Sequence, residues 1–233
     1  MISIIIPVYN QAKTLARTLD SLAAQSDKDF EVIMVNDGSR DNPDQVFGHF
    51  YDTRQSANNY LFINQENQGA PAARNRGYKE AKGEYILFCD ADASLKPDAL
   101  SKLKTALEAN PNMSYAYSDF YWGRKLFKPG PFSAAKLKQA PFIHTMALIR
   151  RADFPKTGWD EKIKKFQDWD LWLTMLEAGK NGVYVPEVLF TVKPGGTMSA
   201  WLPSLAYKIL PFLPAVKKYQ ASMKIIKIKH GLQ

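Results

Sequence analysis

The chain opens on an apolar run, Ile2 to Pro7, as expected of a strand buried on both faces. The polar turn Tyr9-Asn10-Gln11 follows, and then a segment with Leu15, Leu19 and Leu22 at helical spacing. Phe30 to Val35 predicts a second buried strand, which ends in Asn36-Asp37-Gly38-Ser39-Arg40, and Tyr60 to Ile63 predicts a third. The alanine-rich stretch from Ala70 to Ala81 reads as a helix closed by Lys82-Gly83, with glycine in the stop position. Tyr85 to Cys89 predicts a fourth strand that runs directly into Asp90-Ala91-Asp92. Pro97 then opens a helix with Leu100, Leu103 and Leu107 on one face.

Alternating strands and helices predict an α/β protein with a single, mostly parallel central sheet flanked by helices. In such sheets a ligand lies beyond the carboxyl ends of the strands. The clusters at Tyr9-Asn10, Asp37-Gly38-Ser39 and Asp90-Ala91-Asp92 each follow a strand, so they should meet along one edge. The second half is less regular. Ser114 to Phe120 and His144 to Ile149 read as strands, separated by a basic, Pro/Gly-containing stretch from Trp122 to Pro141 that suits a binding loop. A helix starts at Asp168, with Trp169, Trp172, Leu173 and Leu176 on its apolar side.

Composition changes this picture little. The 233 residues allow one large α/β domain with a real core, and no repeat or low-complexity tract interrupts them. The single cysteine, Cys89, excludes an internal disulfide, and the first residues form a strand rather than a leader, so a cytoplasmic enzyme is expected. The net charge of +8 suggests a nucleic-acid partner, but its distribution argues against one. Six lysines and no carboxylate lie between Trp201 and Gln233, while the first 200 residues hold 25 basic and 23 acidic side chains.

Four features carry chemistry. Asp90 and Asp92 share a turn, and hard divalent cations such as Mg2+ or Mn2+ are often held by one or two carboxylates together with substrate phosphates. The alternative is a solvated acidic turn before the Pro97 helix. Asp37 precedes Gly38-Ser39, where a carboxylate accepts from a nucleobase N–H or simply forms an Asx-turn. Arg74 suits a phosphate or the aspartates, whereas Arg76 reads as solvated helix surface. Asp168, at a helix start, is either an N-cap or a base for an acceptor hydroxyl.

Together these pieces resemble glycosyltransferase family 2. The resemblance rests on five motifs in order: Ser3-Ile4-Ile5-Ile6-Pro7-Val8-Tyr9-Asn10, Val35-Asn36-Asp37-Gly38-Ser39, Asn67 to Asn75, Gly83 to Asp92, and Gln167 to Leu173. It spans about residues 1 to 190. It implies a GT-A fold, a nucleotide-diphosphate sugar donor with uridine diphosphate as the default carrier, Mn2+ or Mg2+, and inversion at the anomeric carbon. By position it makes Pro7, Tyr9, Asp37 and Arg74 donor-binding, puts Asp90 near the ribose, makes Asp92 the main metal ligand and makes Asp168 the catalytic base. Its domain would run over 1–200, with a donor half at 1–110 and an acceptor half at 111–200. It points to a hexosyl or N-acetylhexosaminyl transfer onto a glycan or lipid-linked acceptor in bacterial-type surface glycan synthesis.

The chain departs from the family pattern at Gln167, where an acidic residue is usual, and at Asn36, where a first aspartate is frequent. After Pro186 to Phe190, relatives carry an arginine and then a histidine; here Lys193 stands in the arginine's place and the histidine is missing. His144 reads as a structural strand residue. A non-catalytic binding or scaffold protein with a decayed transferase fold is the rival from another class. A nucleotidyltransferase lacks support because Pro7-Val8-Tyr9-Asn10 replaces a Gly/Arg-rich loop, and the Gly-x-Gly-x-x-Gly turn of dinucleotide enzymes is absent.

Residues 201–233 read as a basic, apolar C-terminal arm. Pro203, Pro211 and Pro214 and the lysines argue against a spanning helix. Peripheral attachment to an anionic bilayer through 201–229, at the inner face of the membrane, stands beside an arm packed on the body or on a second copy.

Overall fold

The computed structural model describes residues 1–54, 60–194 and 213–232. One nine-stranded sheet organises them, built from β1 (Ile2–Val8), β2 (Phe30–Asp37), β3 (Tyr60–Gln65), β4 (Tyr85–Phe88), β5 (Ala93–Leu95), β6 (Tyr115–Trp122), β7 (Lys125–Phe127), β8 (Leu148–Arg150) and β9 (Gly182–Val192). The order is β3-β2-β1-β4-β8-β6-β9-β5, with β7 paired to β6. The first four strands in that order are parallel, and β8 joins them antiparallel to β4. Most paired residues lie in parallel ladders, because β6 and β9 also run parallel.

The helices are α1 (Ala12–Ala23), α2 (Pro43–Arg54), α3 (Ala70–Glu80), α4 (Ala99–Glu108), α5 (Ala134–Gln139), α6 (Gln167–Glu177) and α7 (Pro214–Lys229). Every residue of β1 and β2 is buried. The pleat sends alternate β1 side chains to opposite faces. Ile4 and Ile6 join Leu15, Leu19 and Leu22 of α1 and Leu100, Leu103 and Leu107 of α4. Ile5 joins Ala73 of α3 and Trp169 and Trp172 of α6 on the other face. The run of small residues in α3 has a steric cause: a Cβ on Gly77 would stand 2.5 Å from Ile5 Cγ2.

Several elements differ from the sequence expectation. The strand expected over His144 to Ile149 shortens to β8, which leaves His144 in the preceding loop. The stretch from Trp122 to Pro141 contains β7 and α5 rather than irregular chain alone. A further strand, β5, follows the acidic run and pairs with β9. In the tail, Pro214 starts a helix of 16 residues instead of breaking one, since an N-terminal helical position has no hydrogen bond to lose. Val216 and Ile226 of α7 are buried, so this part of the arm packs on the body. Trp201, Pro203 and Pro211 lie outside the described residues. Among the described residues no helix is long and apolar enough to cross a membrane.

Candidate active site

The carboxyl ends of β1, β2 and β4 open onto a single cleft of about 470 Å³. Pro7, Tyr9, Asp37, Arg74, Asp90, Asp92 and Asp168 all line it, so every sequence-derived site residue comes together. Cross-ties hold the two loops at its rim. Asn10 N–H donates to Ser39 Oγ (3.0 Å), and Arg40 N–H donates to Asn10 Oδ1 (2.9 Å).

Asp37 ends β2, and its carboxylate organises the neighbouring loop. Oδ1 accepts from Gln65 Nε2 (2.8 Å) and Gln68 N (2.9 Å). Oδ2 accepts from Asn67 Nδ2 (3.2 Å) and Gly69 N (2.8 Å). A carboxylate offers about four lone-pair sites, and protein donors use all of them here. Asp37 therefore shapes the cleft wall through the 65–69 loop; a base N–H would have to displace one of these donors. Gly69, at φ +95, makes the turn into α3 that points Arg74 inward.

Arg74 is buried and lies over the Trp159 ring, 4.7 Å from its centroid. Its Nη1 donates to Gln167 Oε1 (2.9 Å), and Nη2 stands 3.3 Å from Asp90 Oδ1. Nε has no protein partner among the described residues. Gln167 thus takes the hydrogen-bonding place of the acidic residue expected there, but adds no negative charge. Asn36 is likewise used as an amide: Nδ2 donates to Asn64 Oδ1 (2.9 Å), and Oδ1 accepts from Ser39 N (2.9 Å).

Asp92 is pushed up to about 6, first by burial and then by the charge of Asp90. Two carboxylates that repel each other on one turn suit a hard divalent cation, which relieves that repulsion. Among the described residues no group of three or more His, Cys, Asp or Glu side chains forms a metal site. Substrate phosphates and water would therefore complete the shell. Lys193 N–H donates to the Asp92 carbonyl (3.1 Å), which fixes the end of β9 against the acidic turn.

Asp168 sits in the first turn of α6, and its Oδ1 accepts from Trp169 N (2.9 Å). Burial raises its pKa, partly offset by His144 and Arg74. The helix begins at Gln167 with Phe166, in a left-handed backbone at φ 60, at the cap position, so Asp168 lies inside the first turn and is not the N-cap.

His144, read from the sequence as a structural strand residue, lines the cleft instead. Its ring packs on Phe120 and Phe190, and Nδ1 accepts from Met146 N (3.2 Å). Burial lowers its pKa, and with Nδ1 accepting, the neutral form of the ring carries its proton on Nε2, 3.8 Å from Asp90 Oδ2. Asn67, from the third sequence motif, also lines the cleft; Gln11, Trp122, Thr145, Lys164 and Phe166 line it without having been singled out from the sequence. Gln11 was visible as part of the polar turn after β1; the others reach the cleft on connecting segments or strand ends whose paths no local pattern specifies.

The curled sheet with its carboxylates at one edge is a GT-A fold, shared with solved glycosyltransferase structures. The chain belongs to glycosyl transferase family 2, whose profile matches residues 3–158. It is 29% identical over 189 residues to an uncharacterized glycosyltransferase of Haemophilus influenzae, covering 76% of this chain and 62% of that protein. It is 32% identical over 195 residues to the chondroitin synthase of Pasteurella multocida, covering 77% of this chain and 19% of that protein. The chain thus spans less than two thirds of either relative. Among solved structures, S. aureus TarS 1-349 in complex with UDP-GlcNAc superposes with a TM-score of 0.75 at 19% identity, covering 97% of this chain and 65% of that one. The mannosyltransferase PcManGT from Pyrobaculum calidifontis, in complex with GDP-Man and Mn2+, gives a TM-score of 0.69 at 21% identity, over 84% and 57% of the two chains.

Proposed function

We propose that this chain is an inverting, metal-dependent glycosyltransferase that moves a hexosyl or N-acetylhexosaminyl group from a UDP-sugar to an acceptor hydroxyl. The observation that carries the reading is the meeting of Arg74, Asp90, Asp92 and Asp168 in one cleft at the sheet's carboxyl edge. Asp92, with Asp90, would hold Mn2+ or Mg2+, which when bound would supply positive charge to the departing diphosphate. Arg74 faces the same diphosphate; Asp90 is its ion-pair partner, and Gln167, being neutral, adds no second negative charge. Pro7, Tyr9 and Asp37 form the nucleoside end, with Asp37 acting through the loop it holds. Asp168 takes the proton of the acceptor hydroxyl while that oxygen bonds to the anomeric carbon and the carbon–diphosphate bond breaks. A single displacement inverts the centre.

The UDP-GlcNAc bound to TarS and the Mn2+ bound to PcManGT support the donor and metal classes. The chondroitin and hyaluronan synthases among the relatives support a glycan acceptor, and with it a role in surface glycan synthesis on the cytoplasmic side of a membrane. The outward face of α7, with Ile225 and Ile228 exposed beside Lys224, supports peripheral attachment there. The decayed-fold reading loses its motive at Gln167, whose amide keeps Arg74 in place. A panel of nucleotide sugars with Mn2+, read by thermal stabilisation and nucleotide release, tests the proposal. A UDP-sugar should both stabilise the protein and release UDP; stabilisation without any release, even with glycan acceptors, would favour the scaffold.

A further inference from the structure

The last helix reaches the turn that carries Asp168 from two directions. At one end, the Tyr219 ring meets Phe166 edge-on, with centroids 4.9 Å apart. Phe166 lines the cleft and has a left-handed backbone that a bulky L-residue keeps only when its surroundings enforce it. Its carbonyl accepts from Asp170 N–H (2.9 Å), which closes the first turn of α6 around Asp168.

At the other end, the Asp170 side chain is buried and receives two partners from the chain terminus. Lys229 Nζ stands 2.7 Å from Asp170 Oδ1 and 2.8 Å from Asp160 Oδ2. His230 Nε2 stands 2.9 Å from Asp170 Oδ1, while its Nδ1 stands 2.7 Å from Glu177 Oε1. Carboxylates only accept, so a ring that faces one from each nitrogen donates from both and is an imidazolium. Burial pulls the His230 pKa down, but its hydrogen bonds to Asp170 and Glu177 outweigh that and raise it. Ile226, fully buried in the same cluster as Trp169 and Trp172, anchors α7 between the two contacts.

We propose that α7 is a positioning element of the active site: Tyr219, Lys229 and His230 hold the turn Phe166–Asp170 and so fix how Asp168 faces the cleft. This rests on the reading of Asp168 as the base. None of the three residues lines the cleft, so their effect passes through the turn they grip.

Full-length Tyr219→Ala and the double variant Lys229→Met/His230→Gln test it, with Tyr219→Phe and Lys229→Arg as conservative controls. Two readouts apply. Hydrogen exchange at the amides of 167–170 should speed up at least tenfold in the first two variants while the strand amides of β1 stay protected. UDP release from UDP-GlcNAc with Mn2+ should fall at least tenfold in kcat with donor KM within about twofold, and the conservative variants should recover both readouts. If the double variant does not fold, Tyr219→Ala, altered at a partly exposed ring, decides the matter. Unchanged exchange in folded variants overturns the proposal, as does a loss of kcat that tracks a fall in Tm and is not recovered by Tyr219→Phe. Asp168→Asn is run alongside. If it turns over normally, the base reading falls and the positioning role with it; if it is inactive while the α7 variants keep full kcat, only the positioning role falls.

Discussion

Arg74 Nη1 donates to Gln167 Oε1 at 2.9 Å, across 93 residues of sequence, and so joins α3 to the helix that carries Asp168. An amide and a carboxylate offer Arg74 the same acceptor geometry, but only the carboxylate would cancel its charge. Gln167→Leu should therefore strand a buried guanidinium N–H, at a cost of about 1–3 kcal/mol, and lower kcat/KM at least tenfold. Gln167→Glu should keep Arg74 in place and stay within a few-fold of the parent at its optimum. The added negative charge near Asp168 and Asp90 raises the Asp168 pKa, so with Asp168 as the proposed base the acid limb of the kcat profile should move to higher pH. Initial rates between pH 5 and 8 check both variants, and an unmoved limb in Gln167→Glu would separate Gln167 from the electrostatics of the base.

Asp168→Asn preserves shape and removes the proposed proton acceptor. Transfer should fall by about 10²–10⁴, while nucleotide-sugar affinity by calorimetry stays within about twofold. In the parent, burial holds the Asp168 pKa above the usual carboxylate value, so its basic form is lost as pH falls through that raised value. The acid limb of kcat should thus lie above the unperturbed value of about 3.9. Full turnover in Asp168→Asn would move the base elsewhere.

How much of this was legible in the sequence depends on what specifies each residue. Asp37, Asp90 and the Pro7-Tyr9 turn could be placed because each ends an apolar run, and strand direction sends such ends to one edge. His144 could not, since the loop before β8 carries it into the cleft and its partners Phe120 and Phe190 come from β6 and β9. Helix α2 has a weak sequence pattern, because only Val46, Phe47 and Phe50 mark its inner side and Gly48 interrupts them. From the sequence, the lysines of the tail are six equivalent charges on a basic, apolar arm. Lys229 is distinguished by Asp170 and Asp160, partners that only the tertiary fold brings to it.

Metal binding should be pH-linked through Asp92. Without metal its carboxyl is pushed up to about 6, so below that pH a proton must leave before a cation binds. Mn2+ affinity should fall from pH 7.5 to pH 5.5, and Asp92→Ala should lose the metal-dependent part of nucleotide-sugar binding. Stability follows the opposite sign in the metal-free protein. A raised folded pKa means the native state holds the proton more tightly than the unfolded chain, so this group's contribution declines as pH rises from about 4 to about 6. Mn2+ should offset that decline, and the gain in Tm on adding Mn2+ should be larger at pH 7.5 than at pH 5. Equal gains at both would remove Asp92 from the metal shell.

Gly77→Ala sets two effects of opposite sign against each other. Alanine is favoured over glycine within a helix by about 0.8–1.0 kcal/mol. The new Cβ, however, would stand 2.5 Å from Ile5 Cγ2 and 3.2 Å from Val35 Cγ2. Ile5 and Val35 are fully buried in the middle of β1 and β2, with branched side chains that cannot swing aside without disturbing the sheet. Overpacking at such a site costs about 1–3 kcal/mol, which the helical gain offsets only in part, so the variant should be less stable by up to about 2 kcal/mol. Because α3 also carries Arg74, any retreat of the helix from the sheet displaces the guanidinium from Gln167 and Asp90. Urea unfolding should show the lower midpoint, and donor KM should rise with it. An unchanged midpoint with an unchanged KM would mean that α3 is not seated against β1 as closely as Gly77 implies.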